Sequence, residues 1–255
     1  VLMPIIQAVD RALQILDLFD EYETELKITE ISRRLGLHKS TVHSLLKTLQ
    51  SRGYIIQDPD SGKYRLGLKL MERGNLVSQG MDLRNIAKKF LMELSLKTGL
   101  TVHLVILDGK EGVYIDKVEG ASGVIMYSRI GRRVPIHSSA VGKVLVAFKQ
   151  EQELAEILNG YVYTRQTPNT ITCEAEFLNE LAAVRKKGYA VDDQENERGV
   201  RCMAVPVRDH TRQVIAAISV STPVSAHDDG TDEQIVDCLK SAAGKISEQM
   251  GYGFC

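Results

Sequence analysis

Cysteine is sparse in this 255-residue chain, and its four copies, Cys173, Cys202, Cys238 and Cys255, stand far apart with no CxxC pair. A disulfide framework or a zinc knuckle needs closer, patterned spacing, so reduced thiols and no resident metal or cofactor are expected. Long apolar runs are also missing. None approaches the ~18 residues that span a bilayer, and the N-terminal stretch has no signal-peptide pattern. The expectation is a cytoplasmic protein with no membrane partner. Charge of one sign is lacking in bulk: a net charge of −1 excludes a uniformly basic nucleic-acid binder. There is no internal repeat and no low-complexity tract. What is present, 44% hydrophobic and 25% charged residues, gives a soluble globular chain with a sizeable core and a length comfortable for two domains.

The most informative stretch is ITEISRRLGLHKSTVHSLLKTL, residues 28–49. It reads as two helices joined by a tight turn. At roughly 100° per residue, Val42, Leu45, Leu46 and Leu49 fall on one side of the second helix. Ser40, His43, Ser44 and Lys47 fall on the other. Hydroxyls, a ring and a cation on one face can reach phosphates or base edges. In the preceding helix Thr29 is placed to cap the N-terminus, Ile31 and Leu35 form an apolar stripe, and Gly36 suits a left-handed turn. An ordinary pair of amphipathic helices would give the same pattern, so the flanks decide.

They favour a helix-turn-helix. Residues 8–19 form a first helix, with Val9, Ala12, Leu13 and Leu16 at helical spacing. After Arg52-Gly53 the period changes: residues 54–57 and 63–66 are short strand-like runs around Asp58-Pro59-Asp60-Ser61-Gly62, a hairpin signal. A hairpin directly after a helix-turn-helix is a wing, and Lys63 and Arg65 on it suit phosphate or minor-groove contact. Charge agrees. Residues 33–73 hold nine basic residues (Arg33, Arg34, Lys39, Lys47, Arg52, Lys63, Arg65, Lys69, Arg73) against three acidic (Asp58, Asp60, Glu72). Lys39, Ser40, Thr41, His43, Ser44 and Lys47, with Lys63 and Arg65, are therefore the candidate DNA contacts. One recognition helix reads too few base pairs for specificity, so a two-fold dimer on a pseudo-palindromic site is expected.

Residues 67–80 have helical spacing between breakers and read as a linker helix; residues 83–98 form another helix. Strands follow at 101–107, 112–118 and 123–128, then helices through Val146, at 151–158 and at 174–187. Strands at 190–192, 202–207 and 214–221 precede a terminal helix at 231–250. Strands and helices without strict βαβ alternation give an α+β domain on an antiparallel sheet. The boundaries read are 1–66 for the winged domain, 67–80 for the linker and 81–255 for the second domain.

Two features of that second domain carry chemistry. The small residues from Ser138 to Lys143 open a helix, whose first N–H groups have no internal partner and form a natural carboxylate site. A close-packed turn would need small residues too, and spacing alone leans toward it. Cys202 is the other: a nucleophilic thiol needs a base, and His137 lies in a nearby motif. No separate signature supports acyl transfer or hydrolysis, so no catalytic residue is assigned. A redox sensor or enzyme built on Cys202 stands as the alternative function.

With AVDRALQILDLF, LGLHKSTVHSLLKTLQSRGYI, the hairpin, PIHSSAVGKVLVA, DDQENERGVRCMAVPV and AAISVS in this order, the chain resembles the IclR family of bacterial transcriptional regulators over almost its whole length. The resemblance implies a winged helix-turn-helix, a linker helix, and a GAF/PAS-like effector domain with a curved antiparallel sheet flanked by helices. It also implies homodimers or homotetramers, repression of a catabolic operon, and control of DNA binding by a small organic acid. The ligand-facing positions it carries over are Ala140, Val141, Asp192, Val200, Cys202, Ser219 and Ser221, with Met126 as a wall. In that set the helix N-terminus receives a carboxylate, and the serines and thiol donate. Ionised Asp192 can only accept, which calls for a ligand hydroxyl or an ordered water. Three positions depart from the usual pattern: Ala140-Val141 is bulkier before the Gly-Lys, Gln194 replaces a common glutamate, and Arg198 precedes Gly199 where proline is frequent.

Overall fold

Side chains in the N-terminal part alternate between a buried stripe and a charged exterior at helical period, and that stripe builds a small core. The computed structural model describes residues 5–20, 22–79, 82–121, 128–226 and 229–253. The chain divides into two units, Val1–Gly80 and Met81–Cys255. In the first, helices α1 (Gln7–Asp17), α2 (Ile28–Leu35) and α3 (Lys39–Ser51) precede strands β1 (Ile55–Gln57) and β2 (Tyr64–Leu66), then helix α4 (Leu68–Gln79). Ile15, Phe19, Leu26, Ile31, Val42, Leu46, Ile55 and Tyr64 form their shared core.

Local chemistry sets the boundaries. Helix α2 begins two residues earlier than a Thr29 cap would allow. Lys27 has no acceptor side chain, and Glu30 reaches back instead, its Oε2 accepting from the Lys27 N–H at 2.8 Å. At the other end Gly36 adopts φ +63°, with its N–H on Arg33 O and that of Leu37 on Ser32 O. The wing strands pair antiparallel with Ile56 opposite Arg65, and Leu26 bridges to Tyr64. Asp58 Oδ1 accepts from the N–H groups of Asp60 and Ser61 and so shapes the wing turn. Gly67 allows α4 to leave the wing: a Cβ there would lie 2.1 Å from Gly53 O.

The second unit centres on a six-stranded antiparallel sheet. Its strands are β3 (Thr101–Asp108), β4 (Glu111–Val118), β5 (Arg133–Pro135), β6 (Ala190–Asp193), β7 (Val200–Arg208) and β8 (Val214–Pro223), in the order β5-β4-β3-β8-β7-β6. The strand expected at 123–128 lies outside the described residues except for Ser128, which is in no strand. Helices α5 (Asp82–Thr98) and α9 (Asp229–Gln249) contribute to the core on one face, with Met203, Val205, Val207, Ala216, Ile218 and Val220. The opposite face packs on α6 (Ala140–Ala147), α7 (Glu151–Leu158) and α8 (Glu174–Lys187).

Period-two alternation along β8 explains where a cavity opens. Ala216, Ile218 and Val220 fill the α5/α9 core, so Ala217, Ser219 and Ser221 must face α6. Ala217 packs; the two serines replace apolar filling with hydroxyls. Helix α6 is buried along its whole length and comes close to the strand before it. A Cβ on Gly142 would sit 2.4 Å from Ile136 Cα, so only glycine permits this approach.

Candidate functional site

On α3 the apolar side is sealed, with Val42 and Leu46 fully buried. Lys39, Ser40, His43, Ser44 and Lys47 are exposed, and Thr41 is half-buried. Ser44 Oγ donates to Ser40 O at 3.1 Å, so its hydroxyl is turned onto its own helix. Lys63 sits before β2 with Nζ 3.6 Å from Glu25 Oε2, while Arg65 is exposed on β2, on the side away from buried Tyr64.

In the second unit a cavity of about 280 Å³ lies against the sheet face that carries α6. Seven of the eight effector positions line it: Ala140, Val141, Asp192, Val200, Cys202, Ser219 and Ser221. The eighth, Met126, lies outside the described residues. Strand register brings them together. Asp192 is opposite Cys202 and Cys202 opposite Ser221, while Ser219 lies between Ala204 and His103. Ser139 caps α6, its Oγ accepting from Gly142 N at 3.1 Å and donating to Pro135 O at 2.6 Å. The cap leaves the N–H groups of Ala140 and Val141 without a hydrogen-bond partner among the described residues. Both residues border the cavity.

The turn after β6 forms another wall, tied down from three directions. Asp192 Oδ1 accepts from Glu195 N at 2.7 Å and Asn196 N at 3.2 Å. Thr167 and Thr170 donate their hydroxyls to Gln194 O and Glu195 O at 2.6 and 2.7 Å. Lys143, 1% exposed, extends from α6 to Glu195 Oε1 at 2.6 Å, Val191 O at 2.9 Å and Glu180 Oε1 at 3.1 Å. Gln194 takes φ +58° there, and its Oε1 accepts from Gly199 N.

Electrostatics bears on one expected role. Burial raises the Asp192 carboxyl to about 7, against the pull of its two N–H donors, with the Glu195 charge adding to the rise. Asp192 is thus not a simple ionised acceptor at neutral pH. Burial also raises the Cys202 thiol far above its usual range, the Asp192 charge adding to it; its Sγ is 3.1 Å from Ser221 Oγ. His137, the base considered for it, has Nδ1 2.8 Å from Tyr161 Oη and Nε2 3.0 Å from Thr164 O. Both ring nitrogens are engaged away from the thiol. Tyr114, Arg132, Gln166, Asn196 and Glu197 also line the cavity and were not read from sequence. Burial raises Glu197 while Arg132 pulls it down. Among the described residues no cluster of three His, Cys, Asp or Glu side chains could hold a metal ion, and no helix is long and apolar enough to cross a membrane.

Comparison with known proteins decides what this pair of sites belongs to. Residues 8–59 match the IclR helix-turn-helix domain, and residues 76–248 match the C-terminal domain of the bacterial transcriptional regulator IclR. The chain belongs to the IclR family. It is a DNA-binding transcriptional regulator with an effector-binding C-terminal domain. The HTH-type transcriptional regulator XynR of Escherichia coli K12 is 56% identical over 250 residues, covering 98% of this chain and 99% of the relative. KdgR of the same organism, also an HTH-type transcriptional regulator, is 44% identical over 90% of this chain and 88% of its own length. Among solved structures, the Thermotoga maritima IclR superimposes with a TM-score of 0.79 at 37% identity, covering 97% of this chain and all of that one. An IclR homolog from Microbacterium hydrocarbonoxydans, complexed with 4-hydroxybenzoate, gives 0.83 at 26% identity over 95% and 98%.

Proposed function

We propose that this IclR-family regulator represses a catabolic operon in the cytoplasm and that a small hydroxy- or keto-acid alters its hold on DNA. The observation that carries the effector class is the convergence of unpaired α6 N–H groups, Ser219, Ser221 and Asp192 on one cavity. A helix N-terminus favours a carboxylate, and the serines supply donors for its oxygens or for a neighbouring carbonyl. Val141 adds bulk and favours a compact or linear acid. The homolog bound to 4-hydroxybenzoate supports the same chemistry, since that molecule too is a hydroxylated carboxylate. The Escherichia coli relative named transcriptional repressor IclR, 30% identical over 97% of this chain, supports the sign. Cys202 serves as a packing and donor residue, not as a nucleophile.

Residues 1–66 are assigned to reading DNA, 67–80 to the linker and 81–255 to effector binding and assembly. Lys39, Ser40, Thr41, His43, Ser44 and Lys47 face the groove, with Lys63 and Arg65 on the wing. A homodimer on a pseudo-palindrome pairs through α1 and α4, whose Val9, Leu13, Leu68, Met71 and Leu76 expose large apolar side chains. Light scattering at micromolar concentration tests this, and a monomeric mass contradicts it. For the effector, calorimetry with glycerate, threonate, ribonate, gluconate and their 2-keto counterparts is the test. At least one acid should bind, and Ser219→Ala should weaken it about five- to tenfold, the loss of one hydrogen bond of ~1–1.5 kcal/mol. Unchanged affinity in Ser219→Ala and Ser221→Ala would move the site elsewhere.

A further inference from the structure

Two acids, Asp192 and Glu197, line the cavity proposed to receive a carboxylate. Asp192 is 3% exposed, and its Oδ1 is committed to two backbone N–H groups. Among the described residues Oδ2 takes no hydrogen bond, and the side chain borders the cavity. The charged and titratable groups around it are few. From α6 comes Lys143, whose ammonium is spent on Glu180 of α8, Val191 O and Glu195. The turn contributes Glu195 and Glu197, β7 contributes Cys202, β4 contributes Tyr114, and β3 carries His103 on the same face. Arg132 lines the cavity and acts on Glu197. Arg133 also borders it, but its guanidinium is bound to Asp108 and Glu111. Asp193, next in β6, points to the other face and pairs with Arg201.

Adding an anionic effector places its carboxylate in a space already bordered by Asp192 and Glu197, with Arg132 on the same wall. Like charges confined in low dielectric do not all stay ionised; one takes a proton. Asp192 is the more buried of the two acids, and the charge of Arg132 opposes the rise that burial gives Glu197. We propose that Asp192 meets the effector as a neutral acid, its Oδ2–H donating to an oxygen of the bound anion, so that each effector molecule brings one proton into the cavity from solvent. This rests on the carboxylate reading of the effector. It reverses the hydrogen bond expected from sequence: Asp192 selects an acceptor oxygen, and ligand hydroxyls are left to Glu197. The carboxyl is already raised to about 7 without ligand, and burial is the main cause.

The experiment is titration calorimetry on the full chain at pH 8 with the same hydroxy- and keto-acid panel, in phosphate and in Tris, whose ionisation heats differ. For an acid that binds, the two heats should differ by the uptake of about 0.9 proton per site, and Kd should rise nearly tenfold from pH 8 to pH 9. Asp192→Asn, a neutral donor of the same shape, should bind without proton uptake and with a flat pH profile. Equal wild-type heats in both buffers overturn the inference and leave the effector class standing. Proton uptake that persists in Asp192→Asn overturns it too. If no acid of the panel binds, the effector class and this inference fall together. Should Asp192→Asn not fold, ¹³C spectra of aspartate-labelled wild-type protein decide: at pH 8 one carboxyl must shift to its protonated position when the acid is added, and no shift refutes the proton's placement.

Discussion

Replacing Lys143 with methionine would keep most of the stem volume and remove the ammonium that joins α6 to the turn after β6. Three bonds go with it, to Glu195, Val191 O and Glu180. Removing one partner of a buried ion pair costs about 3–5 kcal/mol, because the other charge is left without compensation. Glu195 retains 12% side-chain exposure and Glu180 retains 32%, so the low end, about 3 kcal/mol, applies. For a unit the size of Met81–Cys255 this lowers Tm by roughly 6–12 °C. Glu195 is already raised by burial, and Lys143 opposes that rise. In Lys143→Met it rises further, so the loss is largest where Glu195 is ionised and shrinks as pH falls and the acid protonates. Scanning calorimetry of the effector-domain transition at pH 7.5 and pH 5 reads both effects. Lys143→Met with Glu195→Gln should recover most of the loss, since no buried charge is then abandoned. A single variant within 1 °C of wild type, or a double variant no more stable than the single, refutes the reasoning.

Two further outcomes follow from other residues. His103 is held near 3 by burial, with the Lys117 charge acting in the same direction, and its Nε2 lies 2.7 Å from Ser128 Oγ. Between pH 6.5 and 3 the unfolded chain binds a proton that the folded chain does not, so stability falls with falling pH, by about 2 kcal/mol at pH 5. Urea denaturation should show that slope in wild type and not in His103→Gln; equal slopes contradict the assignment. On the wing, Lys63→Ala should weaken binding to all DNA sequences and flatten the salt dependence by about one ion, measured as the slope of log K against log salt. An unchanged slope removes Lys63 from the interface.

Much of this architecture is legible because side-chain period is a local property. The stripe of Val42 and Leu46 announces α3, and the alternation ending in Ser219 and Ser221 announces a strand with one wet face. Strand β5 was not legible: Arg133-Val134-Pro135 is three residues with a proline and no alternation to read. Thr29 looked like a cap because cap chemistry was judged from residue type; the backbone enters the helix at Lys27, where a glutamate supplies the acceptor. Lys143 read as part of a small-residue motif, although its burial depends on acids 37 and 52 residues away. Arg132, Asn196 and Glu197 reach the cavity through loops whose course is set by long-range bonds, such as Ser138 Oγ to Asn196 Oδ1 across 58 residues. The family resemblance carried residue positions for the cavity, but not the upward shift of the Asp192 carboxyl, which burial causes.

The most direct test of the central claim, that the cavity beside α6 controls DNA binding, is an anisotropy titration. A labelled DNA fragment selected by the protein from a random pool is titrated with and without the acid that binds in calorimetry. Ligand should move the half-saturating protein concentration at least tenfold in wild type, about 1.4 kcal/mol of coupling. In Ser219→Ala/Ser221→Ala the shift should fall below about twofold while ligand-free DNA affinity stays unchanged. A ligand response of full size in that variant, or none in wild type, would contradict the account.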